Sequence, residues 1–178
     1  MDRLVSLMVE MGALKFGRFR LKSGKISNYY VDVKTALTRP EFLEEVARRF
    51  SELPLEYDRV AGLELGGVPL AVAVGLKKAL PYVIIRKEEK SYGTGGRFVG
   101  EIPRGEVILI VEDVITTGGT TLSGIKAVRE AGGMVKDVAV VVDREEGGRE
   151  AIERDGATVH SLLTAADLLK VKREEGEN

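Results

Sequence analysis

The chain has 178 residues, enough for one α/β domain with a proper core, and it lacks cysteine and tryptophan. Hydrophobic residues make up 44%, charged residues 31%, and the net charge is −1. That excludes a disordered chain, a zinc–thiolate or disulfide scaffold, a cysteine nucleophile and broad electrostatic binding of nucleic acid. No apolar stretch is long enough for a bilayer and no signal peptide heads the chain, so a cytoplasmic location is expected.

Leu4, Leu7, Met8, Met11 and Leu14 recur at helical spacing. Arg18–Leu21 and Tyr29–Val33 read as short strands around a turn at Ser23-Gly24. Pro40 opens a helix to about Phe50, with Phe42, Leu43, Val46 and Ala47 facing inward. Strand and helix then alternate: strand Val60–Gly62, helix Val68–Ala79, strand Tyr82–Ile85, and a polar, Gly-rich stretch from Arg86 to Arg97. Strand Val107–Val111, helix Thr120–Ala131, strand Val135–Val142, helix Gly148–Asp155, strand Thr158–Leu162 and a turn or two of helix at Ala165–Lys170 follow. This alternation predicts an α/β fold, a central mostly parallel sheet flanked by helices. Residues 1–40 do not alternate and read as a small N-terminal cap over the sheet's carboxyl edge. Residues 41–171 form the core of a single domain and 172–178 a charged, frayed tail.

One segment carries most of the functional information. The apolar run Val107–Val111 ends in Glu112 and Asp113. Val114, Ile115, Thr116, Thr117, Gly118 and Gly119 follow, and Thr120 opens a helix. A loop between a strand's carboxyl end and a helix's amino end is where open α/β sheets bind ligands. Backbone N–H groups and the helix dipole favour a phosphate there, and glycines allow close approach. The carboxylates would repel a phosphate but accept hydrogen bonds from sugar hydroxyls, and they can hold water around magnesium. A ribose 5-phosphate has that combination of groups. The plainer alternative is a tight turn whose acids cap the helix. A Walker A loop is excluded, because no G-x-x-x-x-G-K-[ST] occurs.

Arg86, Lys87, Lys90 and Arg97 lie among Gly93, Gly95 and Gly96. That stretch is either a solvated surface loop or a lid whose cations close on an anionic ligand. His160, the only histidine, reads as a structural residue of the last strand.

The run V-E-D-V-I-T-T-G-G-T resembles the phosphoribosyl diphosphate signature of type I phosphoribosyltransferases. Other motifs narrow the resemblance to the orotate phosphoribosyltransferases. The Arg86–Gly93 stretch is similar to their R-K-x-x-K-x-H-G loop, with Tyr92 standing where many members have histidine. Phe19 to Tyr30 resembles their F-x-L-x-S-G-x-x-S-x-x-Y motif. Glu64, Leu65 and Gly66, between a strand and a helix, resemble the pyrophosphate loop, although bacterial members often carry lysine where Gly66 stands. Asp143-Arg144 closes another strand.

The resemblance implies transfer of ribose 5-phosphate from 5-phospho-α-D-ribosyl 1-diphosphate to orotate, with Mg2+ held mainly by the substrate diphosphate. It implies that Glu112, Asp113 and Lys90 act in catalysis. Arg86, Lys87, Lys90, the pyrophosphate loop and residues 112–120 would bind phosphoribosyl diphosphate. Lys22, Tyr29, Tyr30, Thr116 and Arg144 would surround orotate. The family further implies a homodimer whose lid residues Arg86, Lys87 and Lys90 are shared between subunits. Neither nucleic acid nor membrane is expected as a partner. The rivals are a purine or uracil phosphoribosyltransferase and a regulatory nucleic-acid-binding protein on the same fold. The cap motif and the net charge of −1 count against them.

Overall fold

The computed structural model describes residues 2–20, 26–90 and 96–176, the side chains of 88–90 and 171–176 excepted. Helix α1 (Arg3–Glu10) is capped by Asp2, whose carboxylate accepts from the Leu4 N–H at 2.8 Å, and it buries Leu4, Val5, Leu7 and Met8. Helical spacing alone carries this helix to Leu14. The structure ends it at Glu10, and Gly12, at φ +66°, turns the chain into β1 (Leu14–Arg20). β1 pairs antiparallel with β2 (Ile26–Val31) in a separate two-stranded sheet. A short helix the periodicity does not predict, α2 (Val33–Ala36), follows under an Asp32 cap. In α3 (Pro40–Glu52) proline opens the helix, and Phe42, Val46, Ala47 and Phe50 are buried.

The central sheet holds β3 (Arg59–Leu63), β4 (Tyr82–Lys90), β5 (Gly96–Val99), β6 (Ile108–Ile115), β7 (Asp137–Asp143) and β8 (Thr158–Thr164), in the order β5-β4-β3-β6-β7-β8. Every pairing is parallel except that of β4 with β5. The crossovers run through α4 (Gly67–Lys78), α5 (Gly119–Glu130) and α6 (Gly148–Arg154), and α7 (Ala165–Gly176) follows β8. Leu109 and Val111 of β6 join the apolar core that includes α1, α3 and α4. Ile108 and Ile110 join the opposite core with Ile125, Val128 and Ile152. Burial on both faces explains why the strand reads as one continuous apolar run.

From β3 the chain turns outward to β4, and from β6 it turns the other way to β7. The adjacent β3 and β6 therefore mark the point where the winding reverses, and the loops that follow them open a crevice at the sheet's carboxyl edge.

Three further elements depart from what the sequence predicts. The polar stretch after Ile85 is not a loop throughout: β4 continues to Lys90 and returns as β5, pairing Ile85 with Phe98 and Lys90 with Gly96. An edge hairpin that faces water needs no apolar alternation. β6 runs past Val111 to Ile115, because its ladder with β7 continues to Ile115 opposite Asp143. The last helix spans 12 residues rather than one or two turns, taking in most of the expected tail. Among the described residues no helix is long and apolar enough to cross a membrane.

Candidate active site

A cavity of about 1150 Å³ occupies the crevice. Glu64, Leu65 and Gly66 line it from the end of β3; Arg86 and Lys87 from β4; Glu112, Asp113, Val114 and Ile115 from β6. Thr116, Thr117, Gly118, Gly119, Thr120 and Thr121 line it from the loop and the start of α5. The two carboxylates thus sit on the strand itself, not in the loop after it. α5 has no side-chain cap, and Gly118 adopts φ +80° at its N-cap. Its first-turn N–H groups point out of the helix toward the cavity end, the arrangement that binds an anion. The Leu122 N–H already bonds the Gly118 carbonyl at 2.9 Å. Thr116 and Thr117 are exposed beside them.

On the opposite wall the backbone is drawn in tightly. A Cβ on Gly62 would overlap the Gly67 carbonyl, and one on Gly66 would overlap the Asp113 carboxyl group. A lysine at position 66 therefore has no room while Asp113 stands where it does. The loop is tied to the β4 hairpin as well. Glu64 N–H donates to the Ile85 carbonyl at 2.9 Å, and Glu64 Oε2 accepts from the Lys87 N–H at 3.0 Å. Arg86 donates to the Gly96 carbonyl at 3.0 Å, bracing the hairpin, while Arg97 donates to Ser123 Oγ at 2.6 Å. Arg86 and Lys87 border the cavity of their own chain.

Glu112 and Asp113 are both nearly buried, at 6% and 4% exposure. Burial pushes the Glu112 carboxyl well above the usual carboxylate range. Its hydrogen-bonding and charge interactions with Asp113 push the same way, against the Asp113 N–H and Lys34. Asp113 Oδ2 accepts from Lys34 Nζ at 2.7 Å. Burial works against the Lys34 charge, but the Asp113 hydrogen bond and charge outweigh it with help from Glu112 and Asp32, so its pKa lies above the ordinary lysine value. Lys34 also lines the cavity. The sequence reading misses it, since a lysine just past the cap motif reads as a surface residue of a connecting segment.

Arg144 stands at the margin. Its N–H donates to the Ile115 carbonyl at 3.0 Å, next to Thr116. Its guanidinium lies 5.0 Å from the centroid of the buried Tyr29 ring, and its side chain is only 11% exposed. Arg144 Nε is ion-paired with Glu146 Oε1 at 2.9 Å, yet it makes no hydrogen bond among the described residues. Burial raises the Tyr29 pKa, against the pull of Arg144. Tyr30 is 42% exposed and packs against Phe19 with the rings tilted at 39°, centroids 5.7 Å apart. Neither tyrosine nor Arg144 lines the cavity proper. Lys22 and Tyr92 lie outside the described residues, and of Lys90 only the backbone is described.

A second residue escapes sequence reading. Arg149 looks like an ordinary helix-surface cation. Its guanidinium donates to Asp143 Oδ2 at 2.8 Å, the Val159 carbonyl at 2.6 Å and Ser161 Oγ at 2.7 Å. Asp143, 1% exposed, accepts from the Glu145 N–H at 2.9 Å with its other oxygen. Together they fix the turn that presents Arg144. His160 pairs with Asp137 at 2.7 Å between β7 and β8 and does not line the cavity.

Residues 33–166 match the phosphoribosyl transferase domain family. The chain is 47% identical over 174 residues to the orotate phosphoribosyltransferase of Methanopyrus kandleri, covering 98% of this chain and 94% of that one. The crystal structure of orotate phosphoribosyltransferase from Aeropyrum pernix superposes with a TM-score of 0.84 at 29% identity, covering 98% of this chain and 99% of that one. The Mycobacterium tuberculosis H37Rv enzyme in complex with 5-phospho-α-D-ribosyl 1-diphosphate superposes with a TM-score of 0.75 at 33% identity, over 94% of this chain and 99% of that one. The chain belongs to the phosphoribosyl transferase family, within its orotate phosphoribosyltransferase branch.

Proposed function

We propose that the chain transfers the ribose 5-phosphate group of 5-phospho-α-D-ribosyl 1-diphosphate to orotate, giving orotidine 5′-monophosphate and diphosphate in UMP synthesis. The observation that carries this is the adjacency of an uncapped helix N-terminus, two buried carboxylates and a second tight loop around one crevice. Those features match, in order, a phosphate, a sugar diol and a diphosphate.

In this reading the N–H groups of Gly118, Gly119 and Thr120, with the Thr116 and Thr117 hydroxyls, hold the 5-phosphate. Glu112 and Asp113 accept the ribose hydroxyls and favour the positive charge that develops on the ring at the anomeric carbon. The diphosphate lies against Glu64, Leu65 and Gly66, with Arg86, Lys87 and Lys90 to stabilise its departure. Arg144 would take the orotate carboxylate. A guanidinium suits it by its fork geometry, and Nε makes no hydrogen bond among the described residues. Thr116, Tyr29, Tyr30 and Lys22 would shape the base pocket and hold the ring nitrogen in line.

Magnesium fits the donor set. Hard oxygen ligands suit it, and it is usually held by one or two carboxylates plus substrate phosphates. Here Glu112 and Asp113 would reach it through water, and when bound it would neutralise diphosphate charge. Residues 1–40 would act as a hood over the crevice. The chain would work as a homodimer with the lid residues Arg86, Lys87 and Lys90 shared across subunits, Arg86 and Lys87 also bordering the cavity of their own chain.

The test is Arg144→Ala. Unpairing a buried charge costs roughly 2–5 kcal/mol, about 30-fold to several thousand-fold. The Michaelis constant for orotate should rise by at least the lower figure, and that for phosphoribosyl diphosphate far less. An equal effect on both substrates would leave Arg144 as only an ion-pair residue, held by Glu146 and packed on Tyr29.

A further inference from the structure

Among the described residues the crevice holds few cations for a ligand as negative as a sugar diphosphate. Its charged lining among the described residues consists of Glu64, Glu112 and Asp113 against Lys34, Arg86 and Lys87. Without Lys34 this described lining has no excess of positive charge, in a site that must take up a polyanion. Lys34 reaches the crevice from a different layer than the other two cations. Val33 and Ala36, both buried, anchor α2 in the core, Asp32 caps it, and the Lys34 side chain stays 55% exposed.

The position of its ammonium is informative. Lys34 Nζ lies 2.7 Å from Asp113 Oδ2, and that same oxygen lies 2.6 Å from where a Cβ on Gly66 would stand. The ammonium is therefore no farther from the Gly66 backbone's open side than these two separations placed end to end. Asp113 sits between the diphosphate loop and the lysine, touching both.

We infer that Lys34 is a substrate cation of the diphosphate subsite, exchanging Asp113 for diphosphate oxygen as the ribose hydroxyls engage Asp113. This rests on the activity proposed above. A carboxylate that accepts ribose hydroxyls has fewer lone pairs for an ammonium. The diphosphate offers more negative charge within reach of the same flexible stem. Lysine suits the exchange because its ammonium is a compact charge whose donors rotate, whereas arginine's fork is built for a fixed pair. Asp113 thus keeps the ammonium waiting beside the subsite, and substrate binding releases it.

The experiment measures binding of three ligands to the full chain by calorimetry: inorganic diphosphate, phosphoribosyl diphosphate, and orotidine 5′-monophosphate, which has the ribose but no diphosphate. Lys34→Met and Lys34→Gln are compared with wild type and Lys34→Arg, each checked for wild-type melting. Losing a charge-assisted hydrogen bond should weaken the two diphosphate ligands about tenfold or more. Orotidine 5′-monophosphate should stay within about twofold, and Lys34→Arg should recover part of the loss. An equal loss for all three ligands would make Lys34 only the counter-ion of Asp113 and overturn the inference. Unchanged binding throughout would do the same. A wild-type protein that binds neither phosphoribosyl diphosphate nor orotidine 5′-monophosphate would sink the proposed activity itself. Wild-type binding with no selective loss would sink this inference alone.

Discussion

The backbone of Gly66 packs against the carboxyl group of Asp113 so closely that a Cβ at position 66 would overlap Cγ and stand 2.6 Å from Oδ2. The loop after β3 and the strand β6 thereby fix one another: the loop can close only while position 66 has no side chain, and Asp113 is confined between that loop and Lys34.

Gly66→Ala should displace Asp113 before it unfolds anything. Overpacking a tight site costs about 1–3 kcal/mol, or roughly 2–4 °C in melting temperature per kcal/mol for a domain of this size. The folded variant should lose at least tenfold in kcat/KM. Steady-state kinetics beside a melting curve checks this. Unchanged kinetics would mean the carboxylate's position is not critical.

Asp113→Asn should cut turnover strongly and leave the fold intact. The amide keeps the shape but loses the charge that faces the ribose ring. Wild-type rates in a folded Asp113→Asn protein would remove Asp113 from the mechanism.

Glu112→Gln should make the protein more stable and less active. The folded pKa of Glu112 is raised by burial and by Asp113. Its contribution to stability is therefore fully present below the unfolded value of about 4.5 and is lost as pH rises through the higher folded value. A glutamine does not incur that loss, while its amide oxygen can still accept from the Asp113 N–H, bonded here at 3.2 Å. The melting temperature of the variant should exceed that of wild type above neutral pH, by roughly 2–4 °C if the gain is about 1 kcal/mol. The difference should close as pH falls toward 4.5. A pH series of melting curves decides it; a variant less stable at high pH would contradict the assignment.

Sharing of the lid across a dimer has its own test. Lys90→Ala and Asp113→Asn should each be nearly inactive. Mixed and allowed to exchange subunits, they form heterodimers in which one site carries neither lesion. Activity should return to about one site in four at random reassortment. No recovery, with exchange verified by mass spectrometry, would place Lys90 in its own chain's site.

The strand–loop–helix around Glu112, Asp113 and Gly118 was legible because its signal is local. An apolar run, two acids and a hydroxyl–glycine loop follow one another along the chain, and each has a local structural consequence. Lys34 was not legible, because it meets Asp113 from 79 residues away. Only the packing of Val33 and Ala36 brings it there. Arg149 hides for a similar reason: its sequence neighbours suggest an ordinary helix-surface pair, and its partners on β7 and β8 appear only when those strands lie side by side. The β4–β5 hairpin escaped because a polar edge strand has no period-2 apolar pattern to read.

The choice of base separates an orotate site from every other phosphoribosyl acceptor site. The direct measurement is consumption of orotate, uracil, adenine and hypoxanthine by the purified chain with phosphoribosyl diphosphate and magnesium. Orotate should be converted to orotidine 5′-monophosphate and diphosphate in equal amounts, and the other three bases turned over at least a hundredfold more slowly, about the order a buried guanidinium–carboxylate pair supplies. Efficient use of uracil or of a purine, or no turnover of orotate by a folded protein, would contradict the assignment to orotate.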